Sequence, residues 1–264
     1  IRSRETLILL TKPSSTVARN QGRKLIRDEQ KIRDYYRWHV HKKFLRPEQR
    51  DDGTEQCTYP LDFRLEIRKS TLCPGLGLFV AAGKISPGSL CAIYPGTIFR
   101  PHEPKLLWGF GNSYMIRRSD GTVIDGRPGG LSGGTYRSLY GRAADPLCGD
   151  VPADDSWLAA ERGRSRLERG KAHTSRSHIC SVNCGHYINH RPHGSNNVDY
   201  VEKYLDVRYY TIIDPISESR RCCLPYLSYG GMQESHIPGI VLVSNQEIVE
   251  GQELTANYND IQFS

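Results

Sequence analysis

Two periodicities divide the chain. Within the first fifty residues Leu25, Ile32, Tyr36, Val40 and Phe44 recur at steps of 7, 4, 4 and 4, the spacing that lines side chains along one stripe of an α-helix. Lysines and arginines occupy the other side. The pattern predicts an amphipathic helix over 22–45, stopped by Pro47 and the Asp51-Asp52-Gly53 turn signal, with its apolar stripe packed on the main domain. After residue 60 the texture changes to short β-like runs at 63–67, 78–81, 90–94, 97–99, 114–117, 123–125, 198–201, 207–213 and 240–244. Pro74-Gly75, Ser86-Pro87-Gly88, Pro95-Gly96, Asp120-Gly121 and Glu250-Gly251 punctuate them. The expectation is a β-rich fold, mainly β with few helices, over 61–264, preceded by a basic helical segment over 1–60.

Two stretches break the strand pattern. Residues 142–178 are rich in Asp, Ser, Ala and Arg and offer little beyond Trp157 and Leu158 to bury, so a mobile insertion is expected, at most a short helix. Residues 214–231, with the Cys222-Cys223 pair and Tyr226 and Tyr229, are expected to form a surface excursion that serves as a lid.

Composition changes this picture only at its margins. The chain has 264 residues, 38% hydrophobic and 25% charged, which is ordinary for a globular domain and fits one principal core with an appendage. Its apolar runs, such as those at 7–10 and 240–243, fall far short of the roughly 20 residues that cross a bilayer, so no membrane partner is expected. The eight cysteines, at 57, 73, 91, 148, 180, 184, 222 and 223, are too sparse for a disulfide scaffold. An intracellular, reducing setting is expected, with nucleus and cytoplasm not distinguished. The net charge of +7 is concentrated at the start: residues 1–50 carry 14 Lys or Arg against 5 Asp or Glu. This reads first as a solvated helix face and second as a nucleic-acid surface.

Three ordered blocks carry the candidate chemistry. The first is Pro74-Gly75-Leu76-Gly77-Leu78-Phe79, followed by Ile93-Tyr94-Pro95-Gly96. The second is Tyr187-Ile188-Asn189-His190, with Asn196-Asn197-Val198 shortly after, and the third is Ile248-Val249-Glu250-Gly251-Gln252-Glu253-Leu254-Thr255-Ala256-Asn257-Tyr258. Two glycines before a strand serve a turn or a close chain approach and by themselves say little. The candidate metal ligands are Cys180 and Cys184, with His178 and His186 nearby; the spacing is loose for zinc, and no metal site is expected.

Taken together and in this order, the blocks resemble the SET-domain family of S-adenosylmethionine-dependent protein lysine methyltransferases over about residues 62–260. The resemblance implies a fold of small sheets with a pseudoknot-like C-terminal crossing. It implies that Gly75, Leu76, Gly77, Tyr114, Asn189, His190 and Tyr258 bind S-adenosylmethionine, and that Tyr258, Tyr94 and Tyr200 are the catalytic tyrosines lining a channel for the substrate lysine. His190 is not a metal ligand on this reading. The implied partner is a protein bearing a target lysine. No nucleophile elbow, Walker-type loop or HExxH motif points to another chemistry.

The chain departs from the family pattern at residues 191–197, where Arg-Pro-His-Gly-Ser-Asn-Asn replaces the usual shorter motif and leaves either Asn196 or Asn197 as the buried amide. Six residues follow Tyr258, so a cysteine-rich zinc tail is not expected, and closure of the channel is expected from 214–231 or from the N-terminal helix. The alternative function is a SET-fold interaction module with weak or no catalysis.

Overall fold

The structure, a computed structural model, describes residues 28, 30–32, 34, 61–103, 112–128, 130, 133, 157, 182–192, 194–206, 211–213, 220–222, 226–228 and 236–258. Its first half contributes β1 (Phe63–Lys69), β2 (Leu76–Ile85), β3 (Leu90–Ile93), β4 (Gly96–Phe99), β5 (Met115–Arg117) and β6 (Val123–Asp125). A 3-10 turn, Gly185–Tyr187, leads into β7 (Asn189–His190), β8 (Val198–Asp206), β9 (Thr211–Ile213), β10 (Arg220–Cys222) and β11 (Tyr226–Ser228). The last strands are β12 (His236–Ser244), β13 (Ile248–Val249) and β14 (Thr255–Ala256). They assemble as small sheets in the orders β1-β2-β13, β11-β4-β6-β5, β3-β12-β8-β14-β7 and β10-β9. The fold is β-rich, as the run lengths and turn residues predict.

Each sheet follows from where its apolar side chains fall. In β1, Phe63 and Leu65 alternate inward while Arg64 stays in solvent, the period of a strand with one wet face. By contrast β12 reads as a near-continuous apolar run because β3 and β8 flank it, and Ile240, Val241 and Leu242 are fully buried. Pro238 is tolerated within β12 because the β3 ladder begins only at Val241. Beneath lies one main core joining the sheets; Phe99, Met115 and Val123 form a smaller cluster.

Arg118 fastens the β5–β6 turn to the five-stranded sheet. Its guanidinium, 3% exposed, donates to the carbonyls of Lys203 and Gly239, pairs with Asp120 at 3.1 Å and lies over the Tyr204 ring at 4.8 Å. A buried arginine survives only when its donors are met in this way.

Of the expected helix over 22–45, residues 28, 30–32 and 34 are described, and all are helical. Ile32 from the apolar stripe is fully buried in the main core, a contribution of about 2 kcal/mol. Lys31 pairs with Asp62 at 2.5 Å, and the Asp28 carboxylate accepts the Leu90 amide hydrogen at 3.1 Å. The other stripe positions lie outside the described residues.

Within the expected excursion over 214–231, two short strands are described. Residues Arg220–Cys222 pair antiparallel with β9, and Tyr226–Ser228 run parallel to β4. β11 thereby adds to β4 on the side away from β6. In the same way the run at 207–213 is a strand only over 211–213 among the described residues, while β8 continues to Asp206. From the expected insertion over 142–178 only Trp157 is described, and it is fully buried.

The C-terminal crossing is the feature that shapes the site. β7 and β8 are neighbours in sequence, yet they do not pair with each other, because β14 lies between them and runs parallel to both. Asn197 secures the crossing: its side-chain amide donates to the Glu253 carbonyl at 2.9 Å, and its carbonyl oxygen accepts the Thr255 amide hydrogen at 2.8 Å. Asn196, also buried, turns instead toward Val198 and Asp199 within its own loop. The buried amide against the terminal segment is therefore that of Asn197.

Candidate active site

Where the crossing meets the β1–β2 hairpin, a cavity of about 200 Å³ opens. Residues 73–76 line it together with Tyr94, Tyr114, Asn189, Tyr200 and Tyr258. Seven of the nine residues singled out in the sequence thus line one space, although they come from segments as far apart as Gly75 and Tyr258.

The remaining two stand one layer back. Gly77 pairs with Arg68 in the β1–β2 ladder, and a Cβ there would run into the Glu253 carboxylate and come within 3.1 Å of the Asn189 amide. Glycine is needed at that point for close approach, not for its backbone angle. At Gly75 the reverse holds: φ is +146°, and a Cβ would meet nothing within 4 Å, so backbone is presented to open space. His190 is exposed; its Nδ1 accepts the Tyr258 amide hydrogen at 3.1 Å and its ring lies 5.1 Å from the Tyr258 ring.

Tyr258 follows directly from the crossing. With β14 between β7 and β8, the residues after it must pass over β7, and the phenol of Tyr258 turns back to donate to the Ile188 carbonyl at 2.7 Å. The residue is 42% exposed, but its hydroxyl end is held inside. Tyr94, which ends the β3 segment, donates its hydroxyl hydrogen to the Tyr114 carbonyl at 2.7 Å, and Tyr200 on β8 meets its ring edge-on at 6.4 Å.

These phenols are strong proton holders. Burial first, then the proximity of Tyr114 and Cys73, pushes Tyr258 up to about 12. Tyr94 and Tyr200 are raised well above the ordinary value of 10.0 by burial, with neighbouring phenols adding to it. The folded chain keeps these protons where an unfolded chain loses them, so it binds more protons between about pH 10 and 12 and its stability must fall as pH rises through that window. Alkaline titration followed by tyrosinate absorbance and by urea unfolding is expected to show both effects. A site phenol ionising near neutral pH would contradict this electrostatic picture.

A carboxylate that sequence reasoning gave no role sits behind the cavity. Glu253 accepts from the Ser70 hydroxyl at 2.7 Å, from the Thr71 amide and hydroxyl at 2.9 and 2.7 Å, and from the Asn189 amide at 2.8 Å. Burial opposes its charge, but the hydrogen bonds from Asn189, Thr71 and Ser70 outweigh that and hold its carboxyl below the ordinary value. Its place in the third block was the available signal. What the block does not reveal is that Ser70 and Thr71 fold back upon it.

Nothing in the described part of the site is arranged for a metal: no group of three His, Cys, Asp or Glu is placed to hold one among the described residues. Cys184 is buried, which pushes its thiol up and disfavours the thiolate a metal needs. His186 lies in an aromatic cluster, its ring 4.2 Å from Tyr187 and 6.2 Å from Trp157. Cys180 and His178 lie outside the described residues.

Comparison with known proteins adds the family. No family model matches the chain. It is 30% identical over 197 residues to SET domain-containing protein 9 of Homo sapiens, covering 74% of this chain and 58% of that protein. The Pongo abelii protein of the same name is also 30% identical over 197 residues, with 63% of it covered. The chain spans about three-fifths of the length of these relatives. Among solved structures it is similar to a humanized mutant of the Chaetomium thermophilum Polycomb Repressive Complex 2 bound to the inhibitor GSK126, at 14% identity and a TM-score of 0.37, covering 79% of this chain and 16% of that one. Another is ctPRC2 in an autoinhibited conformation bound to S-adenosylmethionine, at 15% identity and a TM-score of 0.35, covering 79% of this chain and 16% of that one. On these sequence relatives, and with the crossing that brings its three blocks to one cavity, the chain is similar to the SET-domain proteins.

Proposed function

We propose that this chain transfers a methyl group from S-adenosylmethionine to the side-chain amine of a lysine in a protein substrate. The observation that carries the reading is the convergence on one cavity of Gly75 and Leu76, Asn189, and four tyrosines. The residues fit such a donor. The open space beside Gly75 admits a ligand against bare backbone, and Asn189 offers its carbonyl oxygen because both its amide hydrogens are used by Leu76 and Glu253.

On this reading Gly75, Leu76, Asn189 and Tyr114 hold the donor, together with the His190 main chain. S-adenosylmethionine, when bound, supplies a methyl group already activated for displacement. The work left to the protein is to align a neutral amine and to exclude water. Tyr94, Tyr200 and Tyr258 do this by enclosing the lysine side chain in aromatic surface, which lowers the pKa of its ammonium from about 10.4. Their own protons stay in place, so none of them acts as a tyrosinate base. The amine therefore releases its proton toward solvent as it enters.

Calorimetry with S-adenosylmethionine tests the reading before any substrate is known. The parent chain is expected to bind, and Asn189→Ala to weaken binding by about tenfold or more. A parent chain that takes up no donor would sink the enzymatic reading and leave the interaction module in its place.

A further inference from the structure

We infer that Glu253 is a positioning residue, which sets the orientation of the Asn189 amide and ties the loop of residues 70–75 into the wall of the donor site. The inference rests on the proposed reading for the identity of the ligand, but its geometry is independent of it. Asn189 has two amide hydrogens, and both are committed: one to the Leu76 carbonyl at 3.1 Å and one to Glu253 at 2.8 Å. Both neighbours are pure acceptors, so the amide can be placed in only one sense, with its nitrogen toward the protein. What remains for a ligand is an acceptor oxygen. Asn189 is therefore tuned to receive an N–H group, and the residue that enforces this choice lies behind it.

The same carboxylate governs the opposite wall. Three hydrogens from Ser70 and Thr71 converge on its two oxygens, and the Ser70 hydroxyl in turn accepts the Leu72 amide hydrogen at 3.0 Å. The Ser70 amide closes the loop onto the Gly75 carbonyl at 3.0 Å. Gly77 lets the carboxylate approach, because any side chain there would displace it. Glu253 is itself held from behind, since its carbonyl accepts from Asn197 and its neighbour Leu254 donates its amide hydrogen to the Leu78 carbonyl. One ionised group thus connects the crossing, the Asn189 amide and the Gly75 loop.

Replacing it by glutamine keeps the volume and removes one of two acceptor oxygens, while adding an amide that faces other donors. Where the new amide faces Asn189, that side chain loses its partner or turns over and offers hydrogens where the ligand needs an acceptor; where it faces Thr71, the Thr71 amide hydrogen loses its acceptor and the 70–75 loop its tie. Glu253→Gln is expected to raise the Kd for S-adenosylhomocysteine, read by calorimetry, by about tenfold or more. In NMR spectra of the ligand-free chain, the Asn189 side-chain amide signals should move and the Thr71 amide hydrogen should exchange with solvent about tenfold faster. Glu247→Gln, which breaks an exposed ion pair with Lys84, should change none of these. Thr71→Val removes a single hydroxyl donor and serves where Glu253→Gln does not fold; it is expected to weaken binding by about threefold.

The outcomes separate the two ideas. Tight binding by the parent with affinity unchanged in Glu253→Gln, or in Thr71→Val where that variant stands in, would overturn the positioning role. If the parent binds no S-adenosylhomocysteine, the proposed function fails and the spectra decide the rest: unmoved Asn189 signals and unchanged Thr71 exchange would overturn the inference, and their change would uphold the carboxylate's hold on both walls.

Discussion

A Tyr258→Phe chain should bind the methyl donor within about twofold of the parent and turn over about a hundredfold more slowly. The backbone of Tyr258 is fixed by His190 and by β14, neither of which depends on the phenol oxygen, so the ring of a phenylalanine would keep its place. What disappears is a single hydroxyl anchored on the Ile188 carbonyl. Loss of that hydrogen bond costs about 1 kcal/mol of stability. The larger effect is on alignment, because a displaced reacting group loses rate far faster than it loses affinity. Methyl incorporation on whichever arrayed lysine peptides the parent labels, read beside donor binding, separates the two. Unimpaired turnover by the variant would remove Tyr258 from the mechanism.

The second large effect concerns stability. Asn197→Ala strips partners from two groups that have no access to water, the Thr255 amide hydrogen and the Glu253 carbonyl. Each unmet buried group costs about 1–3 kcal/mol, so the variant should unfold about 3 kcal/mol more easily in urea. Asn196→Ala is the instructive comparison. Its contacts stay within the 194–199 loop, and a loss of about 1 kcal/mol is expected. Equal effects at the two positions would mean that the crossing is not held by Asn197.

How much of this could be read from the sequence depended on the range of each interaction. Strand positions such as 63–67 and 123–125 were visible because alternation and turn residues are local. The blocks at Gly75, Asn189 and Tyr258 were visible because their types and order resemble a family, whereas their convergence is a product of the crossing that no local pattern encodes. Glu253 went unremarked since its partners Ser70 and Thr71 lie more than 180 residues away. The same holds for β11, whose parallel ladder partner β4 is distant in the chain. Nothing local to Arg118 marks it for burial, because that burial is decided by carbonyls on β8 and β12. Choosing Asn197 over Asn196 required knowing which of two adjacent amides faces the last strand.

The placement of β14 between β7 and β8 also sets a schedule for synthesis. Contacts of such long sequence separation form slowly, and they cannot form at all before the chain that makes them exists. His190 and Tyr258 are 68 residues apart, so at about 5–20 residues per second β7 waits roughly 3 to 14 s on the ribosome for its neighbour. During that interval the edges of β7 and β8 that will flank β14 are open to any passing strand. A nascent chain of this protein should therefore depend on chaperones most heavily just before β14 emerges, and be competent to bind ligand only once β14 and Tyr258 are out.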